Sequence, residues 1–264
     1  MRTVLICHHP DALHREGVAR WLASFSPLAG VVTLHEGPAA LWRRVRRELR
    51  RVGLIRFLDV IAFRVYYRLF LARRDRAWED RALRDLAARY RSVPTDTPVV
   101  HERSPNSASA ERFIRECRPD IVVALCKNIL AERIFRIACA GTLVMHPGIC
   151  PEYRNAHGCF WALASDDPAN VGMTLLRVDA GVDTGPVFGY FTYPFDEVGE
   201  SHVVIQRRVM LDNLDALRDR LREIVAGDAR PIDTAGRPSA TWGQPRLTSY
   251  VHWKRHARQR RSRA

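Results

Sequence analysis

Two stretches of the chain hold residue types at spacings that could do chemistry. In the first, an apolar run ends on His146 and a proline-braced loop follows, "HPGICPEYRNAHG", carrying Tyr153, Arg154, Asn155 and His157. In the second, "RVDAGVDTGPV", Asp179 and Asp183 stand among Gly181, Val182 and Gly185. A carboxylate beside an imidazole orients the ring and stabilises its protonated form, which suits acid–base work. Glycines let the second loop take left-handed backbone and bring main chain close to a ligand. A lone histidine is more often structural, and a lone Asp-Gly loop more often a tight turn. The two in this order, 37 residues apart, are what make the pattern specific.

Other chemistries lack their residues. The first apolar run is followed by "CHHPDALHREG" and not by G-x-G-x-x-G, which disfavours a dinucleotide cofactor. There is no G-x-x-x-x-G-K-[ST] loop and no G-x-S-x-G elbow. His8, His9 and His14 lie close in sequence, but no H-E-x-x-H or carboxylate-rich partner accompanies them, so no metal is expected. The net charge is +13, and only Lys127 and Lys254 of the 42 basic residues are lysines. Such an arginine bias follows GC-rich coding as readily as function, so nucleic acid is not the expected partner. The six cysteines form no C-x-x-C pair, which reads as reduced thiols in a cytoplasmic protein. The apolar part of "MRTVLICHHP" is too short for a signal peptide and reads as a first strand.

The elements that must position these residues alternate. Val4–Cys7, Gly30–Leu34, Pro98–Val100, "DIVVALC" (120–126), "GTLVMH" (141–146), "VGMTLLRV" and "GPVFGYFTYPF" read as strands. Between them "DALHREGVARWLAS", "SASAERFIREC", "ILAERIFRIAC" and 157–165 read as helices, and one long amphipathic helix runs from Ser201 to Ala226. This order predicts an α/β fold: three αβα layers around a mostly parallel, Rossmann-like sheet. Ligands of such sheets sit at the carboxyl ends of the strands, where His146 and Asp179 fall.

Two segments stand outside that unit. An Arg-rich helical insertion covers about 41–90 of a 1–230 catalytic domain, and a 231–264 extension ends in the basic "HWKRHARQRRSRA". Leu41, Val45, Leu49 and Val52 make a helical stripe, and after Gly53 residues 54–71 carry only Arg56, Asp59, Arg64 and Arg68 as charges. Four charges make insertion across a bilayer costly. The 54–71 helix is expected to pack on the domain or on a second copy, with a membrane surface as the alternative. The basic tail is expected to be solvated and disordered.

"HPGICPEYRNAHGCFWAL" followed by "VGMTLLRVDAGVDTGPV" resembles the catalytic core of the folate-dependent formyltransferases, and "PDIVVALCKNIL" resembles that family's pterin-binding strand and turn. The family's pattern is N-x-H-P-S-x-L-P-x-[YF]-x-G, then D-x-G-x-D-x-G, and the likeness covers roughly residues 96–225. It implies transfer of a formyl group from 10-formyltetrahydrofolate, without a metal, to an amine of a small molecule such as a sugar nucleotide. It further implies His146 and Asp183 as catalytic residues. Asn128, Ile129, Leu130, Asp179, Gly181 and Val182 would line the folate site, and Tyr153, Arg154, Asn155 and His157 the acceptor site. Three positions depart from the pattern: Val144 replaces its asparagine, Gly148 its serine and Asn155 its glycine. Valine offers no oxyanion donor, so either Asn128, Asn155 or His157 substitutes, or the enzyme is slow or specialised, or folate binding has outlived transfer.

Overall fold

The apolar runs fold as the core strands because β-branched and aliphatic residues fill both faces of a covered sheet. In the computed structural model, which describes residues 1–35 and 37–263, strands β1 (Thr3–His8), β2 (Leu28–Leu34), β3 (Val99–Glu102), β4 (Ile121–Leu125) and β5 (Gly141–His146) run parallel. β7 (Met173–Arg177) and β8 (Val187–Phe191) add antiparallel strands beyond β5, giving the order β3-β2-β1-β4-β5-β7-β8. Every residue of β4 is buried, as a central parallel strand requires. Separate apolar clusters line the two faces, with Leu5, Val123 and Leu143 on one side and Val4, Ile6 and Val122 on the other. The α/β expectation therefore holds, with the sheet closed by an antiparallel edge.

Helix α1 spans residues 13–23, and α4 (Ala108–Cys117) starts where the Ser107 hydroxyl accepts from the Ala110 N–H at 3.1 Å. Two helices come out shorter than the sequence pattern predicts. "ILAERIFRIAC" forms only α5 (Glu132–Phe135), because the chain must turn back into β5 within a few residues. The long helix splits into α7 (His202–Leu211) and α8 (Leu214–Ala226). At the break the Asn213 amide donates to Thr192 O at 3.0 Å and Val209 O at 2.8 Å, tying the corner to the sheet. α6 (Gly158–Ala164) is almost wholly buried.

The insertion is α2 (Pro38–Tyr66), continuing through Tyr67–Leu71 into α3 (Ala72–Arg89). The side chains of 39–41 lie outside the described residues, and with them the Leu41 end of the predicted stripe. Gly53, with φ 77, breaks the helical backbone, which is why the apolar pattern changes there. Beyond it Val60 and Phe63 are buried, Phe63 meeting Phe160, His202 and Tyr250. The opposite face leaves Leu54, Ile55, Leu58, Val65, Leu69 and Phe70 between 52% and 85% exposed.

The tail corrects the expectation of disorder. Leu247–Arg263 is a helix, α9, and its Tyr250, Trp253 and Ala257 belong to the main core. The basic residues mask an apolar face at helical spacing: positions 250, 253 and 257 are i, i+3 and i+7. Lys254 is itself buried, its ammonium donating to Glu197 O at 2.7 Å and Glu200 O at 2.6 Å.

Candidate functional site

β5 delivers His146 to its carboxyl end, buried at 4% exposure. Nε2 lies 2.8 Å from the Tyr153 carbonyl, which can only accept, so Nε2 carries a hydrogen. Nδ1 faces Asp183 Oδ2 at 3.4 Å. The same Oδ2 accepts the Asn155 backbone N–H at 2.8 Å. Asn155 (φ 79), His157 (φ 57) and Asp183 (φ 51) all take the left-handed region without being glycine. Such backbone costs of order 1 kcal/mol per residue and collects at functional sites.

The loop between His146 and α6 is built on close backbone approach. A Cβ on Gly148 would lie 2.5 Å from Tyr153 O and 2.8 Å from His146 Nε2, and one on Gly158 would lie 2.4 Å from Gly148 Cα. A serine at 148 does not fit this loop, which explains the departure from the pattern. Thr174, opposite His146 in the β5–β7 register, donates to Gly148 O at 2.6 Å and accepts from Cys150 N at 2.9 Å. Val144 packs with Cys150, Leu176 and Val187, an apolar surround that suits valine.

The loop is strapped from the C-terminal side. β6 (Arg154–Asn155) pairs in parallel with β9 (Thr241–Trp242). The Trp242 indole stacks on Trp161 at 4.9 Å and on Tyr153 at 5.7 Å, and its N–H donates to Glu152 O at 2.9 Å. Arg237 holds Glu152 at 2.8 Å. Nothing in the sequence reading marked Trp242, Arg237 or Thr174. A short strand pairing across about ninety residues leaves no local pattern.

The remaining candidates distribute as follows. Asp179 Oδ1 accepts from Gly181 N at 2.9 Å and from the Thr184 hydroxyl at 2.7 Å, so it braces its own loop. Val182 O accepts from Arg154 at 3.0 Å, joining that loop to the His146 loop. Tyr153 is buried and its hydroxyl donates to Asp167 at 2.7 Å, so what it offers the site is its carbonyl. His157 sits at the start of α6 against Gln206, and burial, then the Lys127 and Arg64 charges, push its imidazole down to about 3. Beyond β4, Leu130 is buried and Ile129 is 62% exposed. Asn106 fixes this turn by donating to Ile129 O at 2.9 Å and accepting from Ala131 N at 2.8 Å. Asn128 Oδ1 is buried without a hydrogen-bond partner. All six cysteines are free thiols, and burial pushes Cys7, Cys150 and Cys159 up to about 12.

A mostly parallel sheet with a His–Asp pair at the carboxyl end of β5 is an α/β arrangement of the class that binds ligands at that strand edge. The formyl transferase family pattern matches residues 79–220, more than half of the chain, and the chain belongs to that family. A methionyl-tRNA formyltransferase from Stenotrophomonas maltophilia (strain K279a) is 28% identical over 167 residues, which is 61% of this chain and 53% of that protein. The chain spans about half the length of the curated relatives it matches. Among solved structures, a sugar N-formyltransferase from Shewanella sp FDAARGOS_354 superposes with a TM-score of 0.55 at 15% identity, covering 96% of this chain and 87% of that one. A phosphoribosylglycinamide formyltransferase from Anaplasma phagocytophilum gives 0.55 at 12%, covering 93% and 99%. These two likenesses establish the fold.

Proposed function

We propose that the protein transfers a formyl group from 10-formyltetrahydrofolate to an amine of a small molecule, a sugar nucleotide or a comparable specialised metabolite. The observation that carries this reading is the His146–Asp183 contact of 3.4 Å at the sheet's carboxyl edge. With Nε2 committed to Tyr153 O, Asp183 is the outer member of the pair, its side chain 15% exposed against 5% for His146. The amine nitrogen bonds to the formyl carbon, and Asp183 takes the amine proton. The tetrahedral intermediate collapses, the bond to the folate nitrogen breaks, and the proton goes to that leaving nitrogen. Between the two steps His146 Nδ1, 3.4 Å from Asp183 Oδ2, accepts a hydrogen bond from the carboxyl that has gained the proton and holds it in place. Of Asn128, Asn155 and His157, Asn128 is the proposed replacement for the oxyanion donor that Val144 lacks, because its Oδ1 is buried without a partner and a flip of the amide would present N–H instead. Ile129, Leu130, Asp179, Gly181 and Val182 would enclose the pterin, and Arg154, Asn155 and His157 would face the acceptor.

The test is release of tetrahydrofolate from 10-formyltetrahydrofolate against a panel of amino-sugar nucleotides and free amines. Acceptor-dependent release is expected, reduced roughly 10²–10⁴-fold in Asp183→Asn and His146→Gln. Binding of 5-formyltetrahydrofolate with no release for any acceptor would reassign the protein to folate binding without transfer. Neither binding nor release would overturn the reading.

The exposed face of α2 favours a second property, attachment to an anionic membrane surface. Leu54, Ile55, Leu58 and Val65 lie on the outside of the helix, while Asp59 and Arg64 turn inward to Thr248 and Gln244. Exposed Trp42, Arg43, Arg46, Arg47 and Arg50 precede this stripe. Apolar surface flanked by arginines and a tryptophan complements an anionic bilayer interface, and the +13 net charge disfavours a second copy of the chain. No helix among the described residues is long and apolar enough to cross a membrane. Binding to phosphatidylserine-containing vesicles is expected, weakened by salt and lost in Ile55→Asp/Leu58→Asp. A dimer in solution that those substitutions dissociate would identify the face as a contact between copies.

A further inference from the structure

The sheet edge holds a second cluster, on the strands away from the His146 pair. His9 follows β1, His35 follows β2, and His101 lies in β3, three neighbouring parallel strands. The ladder fixes them: His9 N donates to Leu34 O at 3.0 Å, His35 N donates to Glu102 O at 2.7 Å, and Thr33 pairs with His101. Residues 33 and 35 share a face of the strand, so the three rings converge there. His9 and His35 stack at 3.9 Å, and His101 stands edge-on to both, at 6.0 Å from His9 and 5.4 Å from His35.

We propose that His9, His35 and His101 form a binding site for a first-row transition-metal ion of the zinc type. One ring nitrogen from each lies within 4.8 Å of the other two. A tetrahedral ion with metal–nitrogen bonds of about 2.05 Å needs nitrogens about 3.3 Å apart with converging lone pairs, which rotation of the exposed His35 ring out of its stack on His9 would supply. The second layer sets the tautomer at His101. Thr33 Oγ1 lies 3.3 Å from Val100 O and 2.6 Å from His101 Nδ1. With the hydroxyl donating to that carbonyl, it accepts the Nδ1–H and leaves His101 Nε2 with its lone pair outward. His9 Nδ1 is buried without a hydrogen-bond partner. The cluster opens on a cleft of about 420 Å³ that Glu102 and Arg103 also line, which leaves a fourth position for an oxygen donor from solvent or ligand.

A contrasting group, Asp166 with His252 and His256, is already an ion-pair cluster. Both rings contact the carboxylate, at 3.2 and 2.9 Å, and Arg260 occupies its other oxygen at 2.9 Å. None of the three strand-edge histidines has such a carboxylate contact among the described residues.

The proposal is independent of formyl transfer, and its readout is direct. The whole chain, stripped with a chelator, is titrated with zinc chloride by calorimetry, and cobalt(II) is substituted to report coordination by its visible absorption. One zinc per chain is expected, with a low-coordinate cobalt spectrum. His35→Gln and His101→Gln, both at exposed positions, should each weaken binding at least tenfold, while Asp166→Asn binds as the parent does. Circular dichroism checks that each variant folds. No zinc bound by the parent at 100-fold excess, or binding unchanged in both histidine variants, would overturn the site.

Discussion

At the residue scale, Val144 is the position on which the proposed chemistry turns. It shares a strand face with His146, two residues along β5, yet packs with Cys150, Leu176 and Val187. Restoring an amide there opposes two effects. An asparagine would supply an oxyanion donor worth ~2.7–4 kcal/mol in the transition state, while burying an amide in this surround costs ~1–3 kcal/mol of stability. If Asn128 has taken over the donor role, Val144→Asn should lower stability without raising kcat, and Asn128→Ala should lower kcat by 10²-fold or more. If nothing has taken it over, Val144→Asn should raise kcat and Asn128→Ala should leave it unchanged. Urea midpoints and tetrahydrofolate release, measured side by side, separate the two.

At the element scale, the site depends on a strand pair that joins its loop to the C-terminal extension. β6 and β9 contribute two residues each, so backbone pairing alone is weak, and the Trp242 stack on Trp161 and Tyr153 and the Arg237–Glu152 ion pair reinforce it. Trp242→Ala should cost about 3 kcal/mol in unfolding free energy. It should also lower kcat more than it alters folate affinity, because Tyr153 O, the acceptor for His146, loses its support while the turn at 128–130 is untouched. Trp242→Phe, which keeps a ring on both neighbours, should recover most of both effects. Equal losses in kcat and folate affinity for Trp242→Ala would show that the strap supports the whole domain and not the His146 loop in particular.

At the scale of the whole molecule, the core buries imidazoles that resist protonation. Burial, then the Lys127 and Arg64 charges, holds His157 at about 3 against the usual 6.5. Burial and the neighbouring His157 hold His202 well below its usual value. Their folded-state affinity for protons is therefore lower than that of the unfolded chain. Between about 3 and 6.5 the unfolded state binds more protons, so stability is fully present above 6.5 and is lost as the pH falls toward 3. Denaturant midpoints should drop from pH 7 to pH 5, and His157→Gln should flatten that dependence. An unchanged slope in the variant would assign the acid sensitivity to other groups.

By itself the sequence determined the alternation of strands and helices, the parallel sheet, and the placement of His146 and the Asp183 loop at its edge. Those are local signals: apolar runs of strand length, Ser107 at a helix start, glycines flanking two aspartates. Only the tertiary structure decided what lies far apart in the chain. His9, His35 and His101 converge because β1, β2 and β3 are neighbours in the sheet, and nothing in "CHHP" announces its partners. The tail looked like a solvated charge run because arginines dominate its composition. The apolar face at 250, 253 and 257 gains meaning once α6 and α2 provide a core to cover. Local periodicity shows which face of an element is apolar; long-range packing alone shows what that face meets.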